Sequence, residues 1–569
     1  MKLFMVDGIG PFFRGYARHR INWSKIPFDN MEFGGEFDAG RFAGIREDFI
    51  RFADAVAELG FNGITLDDLA HLSLHSGYSD RLASKVRRYR DAYAGLFEIA
   101  AARGLTPYVT TDVMFAPSGH PELWGDLRRD GMLFLRDACE SLFKDFPLVG
   151  GVIFRMGECD GRDVRGDFTS RLAIRTPSQA RDFLRELLPV FERNRRRLIF
   201  RTWTVGAYMI GDLIWNRHTF DRTFAGIDSP SLVLSMKYGE TDFFRHLPLN
   251  PLFFRSDHKK IIELQARREY EGFGEYPSHV GPHYEEYVRQ LEGARNMVGA
   301  WIWCQTGGWS GFRRRAFLEP AGVWIELNTV ISLRLVRDRQ SADMTIRQWA
   351  ESKLGPDTAE RLGALLRFSD EVIQDGLYIE EFARHKLFFR RLRVPPLLHV
   401  YWDMIHVNAA LRRILRCFVR DSSAVLRRSG AALDKIRVMR ALALELGLPA
   451  GDFDFQYDTF LMLREARAFY FGPADPERVH RLYAMRTEYE RRYPLHYHLR
   501  LNPSAAGVHH YPWRLIMALL FRSQRGYRRL DRWLLIRVLT LLSPWLARDG
   551  KGGGHRMGDQ AMGIRAVLR

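Results

Sequence analysis

Three carboxylates in this sequence stand just past short apolar runs. In GVIFRMGECDG (151–161) a β-branched stretch ends in Arg155, and Glu158 and Asp160 follow. Asp242 lies in MKYGETDFF (236–244), and Glu269 in IIELQARREYEGFGEYP (261–277). Breaking a glycosidic bond takes one carboxylic acid to protonate the leaving oxygen and one carboxylate to attack or to activate water. Loops after well-separated strands of a closed barrel face one another across a common axis, so these residue types in these places could supply both groups. The plainer reading of Glu158 is a loop cap paired with Arg155 or Arg162. Arg155, Arg201 and Lys237 close parallel runs; they would either neutralise buried carboxylates or clamp a substrate carboxylate, for which arginine's planar fork is suited. With an acid pair, such cations point to an acidic sugar.

Strands must carry these residues. Eight strand-like runs are expected: 19–24, 61–68, 106–113, 151–156, 197–203, 231–237, 260–266 and 298–305. Helix-period segments lie between most of them, such as GIREDFIRFADAVAELG (44–60), which stops at a glycine, and TPSQARDFLRELLPVFERN (176–194). Strands alternating with helices predict a parallel sheet, and eight units over roughly 290 residues fit a (β/α)8 barrel. A doubly wound sheet is the alternative, but no G-x-G-x-x-G follows an early strand. The carboxyl ends of the runs carry Asn22 and Trp23; Asp67 and Asp68; Thr111 and Asp112; Arg155 and Glu158; Arg201 and Trp203; Lys237 and Asp242; Gln265 and Glu269; Trp303, Gln305 and Trp309. A barrel enzyme keeps its chemistry on that face, so Asn22, Trp23, Asp68, Asp112, Arg155, Arg201, Trp203, Lys237, Gln265, Trp303 and Gln305 are candidate substrate contacts around Glu158, Asp242 and Glu269.

The barrel is expected over 1–335 and an all-α domain over 336–507, where MTIRQWAESKLG, DTAERLGALLRFSDEVIQDGL and LLHVYWDMIHVNAALRRILRCFVR read as amphipathic helices. A basic amphipathic segment (508–548) and a Gly-rich tail (549–569) close the chain. Residues 508–569 hold 12 Lys or Arg against 3 Asp, so more than half of the net charge of +17 sits there. That segment could lie on an anionic membrane surface through 510–548, or dock on the helical domain with its arginines solvated. No nucleic-acid module accompanies the charge, so nucleic acid is not an expected partner. Cys139, Cys159, Cys304 and Cys417 form no C-x-x-C pair, which suits reduced thiols in a cytoplasmic setting. No run approaches 18 apolar residues and MKLFMVDGIG is too short an apolar run for a secretory signal, so the expected place is the cytoplasm, with peripheral contact at the inner membrane. His71 and His75 have ligand spacing on an expected helix, but without an E-x-x-H arrangement no metal is expected, and no cofactor is needed.

In these motifs the chain resembles the family 67 glycoside hydrolases, the α-glucuronidases acting on xylan oligosaccharides. The likeness runs through RINWSKIPFDN (20–30), GFNGITLDDL (60–69), GGVIFRMGECDG (150–161), LIFRTW (198–203), MKYGETDFFRHLPLNPLFF (236–254) and IIELQARREYEG (261–272). It implies a general acid at Glu158, a uronate-holding Arg201, and Asp242 and Glu269 as the water-activating pair. The family's N-terminal β-rich domain has no counterpart. Gly157 stands where the family has Ser, Cys159 where it has Gly, and Arg155 three positions before the acid where it has Lys four before. The resulting expectation is an inverting, exo-acting hydrolase of an α-linked uronic acid, taking an acidic oligosaccharide, with a homodimer through the helical domain as an open reading. The alternatives are a non-catalytic or biosynthesis-associated glycan-binding barrel peripheral to the inner membrane, and a scaffold assembled through its helical domain.

Overall fold

The computed structural model describes residues 2–16, 31–33, 36–117, 129–156, 167–170, 172–306, 311–389 and 391–503. Asn22, Trp23, Glu158, Trp309 and both C-terminal segments lie outside the described residues.

Eight parallel strands close into a barrel: β1 (Leu3–Asp7), β2 (Gly63–Asp67), β3 (Thr106–Asp112), β4 (Gly151–Arg155), β5 (Arg197–Arg201), β6 (Leu232–Lys237), β7 (Lys259–Gln265) and β8 (Met297–Trp303). The expected strand at 19–24 is not the first of them. Leu3–Asp7 pairs with β8 (Leu3 opposite Gly299) and with β2 (Met5 opposite Gly63), which closes the ring and leaves no place for another strand. The run LFMVD is apolar and wholly buried, as a strand covered on both faces must be. The other seven strands lie where the apolar runs predicted them.

The helices of the barrel are α1 (Ala39–Leu59), α2 (Asp80–Ala101), α3 (Arg129–Asp145), α4 (Pro177–Arg193), α5 (Arg217–Phe224), α6 (Gly281–Gln290) and α7 (Val323–Asp338). Between β6 and β7 a 3-10 turn, Pro251–Phe254, stands where the barrel pattern has a helix. The local chemistry of α4 explains its bounds. Thr176 and Gln179 form a reciprocal capping box and Pro177 opens the first turn. Ala180, Phe183, Leu184, Leu187, Leu188 and Phe191 then form one buried stripe. Phe183 meets Phe154 of β4 edge-on at 5.2 Å, so Phe183→Ala would cost about 3–5 kcal/mol.

A second unit follows: α8 (Ala342–Lys353), α9 (Ala359–Val372), then β9 (Val400–Tyr401) and β10 (Met404–Asn408), α10 (Ala409–Phe418), α11 (Ser422–Glu445), α12 (Gly451–Phe471), α13 (Pro476–Arg492) and β11 (His498–Asn502). It is helical, with one correction. The stretch LLHVYWDMIHVN is not helix: Tyr401 pairs with Met404 across a two-residue turn, and β10 runs parallel to β11. Val400, Ile405 and Val407 are β-branched and buried, and their fit to a pleated surface wins over the helical period. Among the described residues no helix is long and apolar enough to cross a membrane.

The second unit docks on the loops that follow β5 to β8, hence on the carboxyl face of the barrel. Arg391 pairs with Asp212 at 2.6 Å and Lys386 with Glu240 at 2.7 Å. Tyr378 donates to Glu271 at 2.9 Å, and Arg314 forks onto Asp452 at 2.9 and 2.8 Å while also meeting Glu275 at 2.8 Å. Trp324 adds an indole N–H to Asp452 at 2.7 Å.

Candidate active site

Alternate residues of a strand share a face, and at the top of this barrel the shared face is polar. Arg155 of β4 donates to Asp67 of β2 at 3.1 Å, and its Nε lies 2.8 Å from Asp112 of β3. Arg201 of β5 donates through Nε and Nη2 to both oxygens of Glu263 on β7, at 3.0 and 2.9 Å, and Ser235 of β6 donates to the same carboxylate at 2.8 Å. Arg201 also lies over the rings of Trp303 at 4.6 Å and Trp301 at 5.5 Å. Arg155, Arg201, Asp112 and Glu263 are all buried, so each charge depends on its partner.

For Arg155 and Arg201 this balance matches the first of the two readings, neutralisation of carboxylates at the strand ends. Arg155 and Arg201 are not a surplus of positive charge waiting for an anion: Arg155 already faces Asp67 and the buried Asp112, and Arg201 the buried Glu263. The partner of Arg201 was missed because a single acidic residue inside the otherwise apolar run KIIEL does not stand out. The spacing of Glu263 two residues before Gln265, on one face, was the available signal.

Asp242 and Glu269 do come together. The loop after β6 brings Asp242 back over its own strand, where Oδ1 accepts from Lys237 Nζ and from the Phe243 amide at 3.0 Å. Oδ2 accepts from the Tyr270 hydroxyl at 2.8 Å, and Tyr270 is the immediate neighbour of Glu269. Gln265 at the end of β7 accepts from the Glu269 amide at 2.9 Å, which fixes where the glutamate leaves the strand. Burial, and next the adjacent Asp242 carboxylate, push the Glu269 carboxyl up to about 8, against the pull of Lys237, Gln265 and Tyr270. At neutral pH the pair therefore includes a protonated Glu269, next to an Asp242 held by three donors. Lys237 Nζ sits 4.0 Å above the Trp203 ring and 4.4 Å from that of Phe243, and Phe243 meets Trp303 at 6.1 Å. Of the two expected tryptophans, Trp203 thus lies under the cation beside the acid pair, while Trp303 lies under Arg201 and reaches that cation only through Phe243.

The loop holding Glu269 is forced into shape. Arg268, Gly272, Phe273 and Gly274 have φ of 58, 86, 55 and 83°; two glycines make that path affordable, while Arg268 and Phe273 must be held in it. Glu271 does the holding. It accepts from Arg245 Nε and Arg268 Nε at 3.0 Å each, from Arg268 Nη2 at 2.5 Å and from Tyr378 at 2.9 Å, with Ser278 as a further donor.

The remaining candidates stand apart from the pair. Gln305 spends its amide on Ala316, donating to its carbonyl at 2.8 Å and accepting from its N–H at 3.3 Å. Asp68 lies on the β2 side, 3.5 Å from His71 Nδ1. His71 and His75 do not share a helix: His71 is in a 3-10 turn (Ala70–Leu72) against the rings of Tyr89 and Phe168, and His75 packs on Phe134.

No protein-family model and no curated protein match the chain. Solved structures similar in chain trace include a family GH138 enzyme targeting pectin rhamnogalacturonan II, at a TM-score of 0.49 and 10% identity over 87% of this chain. They also include a family GH115 4-O-methyl-α-glucuronidase with specificity for decorated arabinogalactans (TM-score 0.43, 11% identity, 89% of this chain). A third is a mutant O-GlcNAc hydrolase of Thermobaculum terrenum (TM-score 0.37, 9% identity, 79% of this chain and 86% of that one). The chain spans 62% of the length of each of the first two.

Proposed function

We propose that the chain is a glycoside hydrolase that removes a terminal sugar by carboxylic acid and carboxylate catalysis. The observation that carries this is the pair itself: Glu269 pushed up to about 8 beside Asp242, which takes hydrogen bonds from Lys237, Tyr270 and the Phe243 amide. Environments that push two neighbouring carboxyls apart are how one site holds an acid and a base at the same pH. Asp242 is the base that takes a proton from water, and Glu269 orients that water with it. Glu158 is assigned the general acid by its motif. A mouth covered from β5 to β8 by the second unit suits an exo-acting enzyme, which needs room for a chain end only.

The finer reading, inversion at an α-linked uronic acid, rests on the resemblance and on Lys237 lying beside the pair. Paired assays of 4-nitrophenyl α-D-glucuronide and 4-nitrophenyl α-D-glucoside test it. Turnover of the glucuronide alone supports the uronate reading. Turnover of the glucoside alone removes it and leaves the hydrolase, and turnover of no glycoside, aryl or oligosaccharide, removes both.

The raised Glu269 also favours a second assignment, with Glu269 itself as the general acid. Leaving-group dependence separates the two. An activated nitrophenolate needs little protonation, so the variant lacking the acid keeps far more activity on the aryl glycoside than on an oligosaccharide. Glu158→Gln should behave so, and Glu269→Gln should lose both substrates alike; the opposite pattern would make Glu269 the acid.

A further inference from the structure

The second unit reaches further into the site than its docking contacts require. At its two-residue turn, Tyr401 is half-buried and its ring lies 5.8 Å from that of Tyr270, whose hydroxyl is bound to Asp242. The Tyr401 hydroxyl makes no hydrogen bond among the described residues, although three phenols around the β7 loop are engaged: Tyr270 with Asp242, Tyr378 with Glu271, and Tyr284 with the Gln265 carbonyl at 3.0 Å. The hydroxyl keeps its proton, because burial and next the neighbouring Asp242 push its pKa up. It is therefore a donor close to the acid pair that has no acceptor among the described residues.

The backbone beside it is held in an unfavourable shape. Trp402 has φ of 50°, in the left-handed region that a bulky side chain rarely enters, and its buried ring packs against Tyr401 at 4.4 Å. Such strain persists only where the surroundings fix it, and it gathers at ligand sites. The turn is pinned from behind by the His498 amide on the Asp403 carbonyl at 2.8 Å and by the pairing of Met404 with His498.

We propose that Tyr401 is a substrate-contacting residue of the barrel site, delivered by the second unit, whose hydroxyl donates a hydrogen bond to the sugar held against Asp242 and Glu269. The inference rests on the glycosidase reading and adds that the barrel alone is an incomplete site: its roof comes from β9. The aromatic ring gives a sugar face a surface to lie on, and the hydroxyl gives orientation.

The test compares wild type with Tyr401→Phe, which keeps the ring, and Tyr401→Ala, using 4-nitrophenyl α-D-glucuronide as substrate and D-glucuronate as competing product. Tyr401→Phe should raise KM and the D-glucuronate inhibition constant together, by about 3- to 10-fold, with an unchanged thermal midpoint; Tyr401→Ala should raise both further. An active wild type with Tyr401→Phe indistinguishable in KM, kcat and inhibition constant overturns the assignment and leaves the glycosidase standing. A wild type that neither turns over the glucuronide nor binds D-glucuronate overturns the uronide reading and this assignment with it.

Discussion

Glu269 and Glu271 lie two residues apart on one loop, both buried, and the two regions they belong to treat them oppositely. Around Glu271, burial alone would push the carboxyl up, but Arg245, Arg268 and Ser278 hold it well below the usual carboxylate range. Around Glu269, burial and Asp242 prevail over Lys237 and push it up to about 8. The first region is a lock between the barrel and the second unit, with Arg245 reaching on to Asp370 of α9. The second leaves a buried acid beside Asp242 with a single cation, Lys237, turned toward it. The same residue type becomes a fastening or a reagent according to how many cations are turned toward it.

The sharpest division should appear when each charge is removed in turn. Glu269→Gln keeps shape and the neutral state, so it should cost little stability while kcat falls by about 10²- to 10⁴-fold, the usual worth of a positioned acid or base. Equal losses of fold and rate would place Glu269 in the lock instead. Glu271→Gln should do the reverse to stability. It leaves Arg245 and Arg268 buried without their shared anion, at a cost of about 3–5 kcal/mol, read from the denaturant midpoint. A midpoint like that of wild type would mean that the lock carries no load.

A pH series sharpens the same contrast. Glu269 has a folded pKa of about 8 against an ordinary 4.5, so the folded state keeps a proton that the unfolded chain has lost. Its contribution is complete below about 4.5 and fades as pH rises through about 8. Wild type should therefore lose stability relative to Glu269→Gln across that window, by at most about 1.4 kcal/mol per pH unit. Glu271 has the opposite sign: a depressed carboxyl contributes above the ordinary range and is lost only under acid. Parallel stability curves for wild type and Glu269→Gln between pH 5 and 8 would break the comparison.

Much of this was legible in the sequence, and the gaps have physical causes. Seven barrel strands announce themselves as apolar runs ending in polar residues, and Asp242 and Glu269 were found because they sit just past such ends. Leu3–Asp7 escaped because Gly8, Gly10 and Pro11 follow it at once and read as loop. Glu263 escaped because one acidic residue inside IIELQ looks like an accident until its inward neighbours, Arg201 and Ser235, come from strands 62 and 28 residues away. Periodicity carries no information about such cross-barrel partners. Tyr401 escaped because an apolar, aromatic run before a strongly amphipathic helix continues the helical pattern by eye, and only pairing with the distant His498–Asn502 strand makes it a sheet.

The smallest effect tests whether the lock truly joins the two units. Tyr378 comes from the second unit; its hydroxyl donates to Glu271 and accepts the Arg245 amide at 3.1 Å. Tyr378→Phe removes one donor of several on Glu271 and leaves one buried amide unmatched, a loss of about 1–2 kcal/mol. Because Glu271 keeps Arg245 and Arg268, the loop with its four left-handed residues should stay in place, and kcat should change by less than about 3-fold. A stability loss of this size with kcat intact makes the tyrosine a fastening. A kcat loss near that of Glu269→Gln, with stability unchanged, would mean that the second unit tunes the acid pair through Glu271, and the line drawn between lock and acid pair would have to be moved.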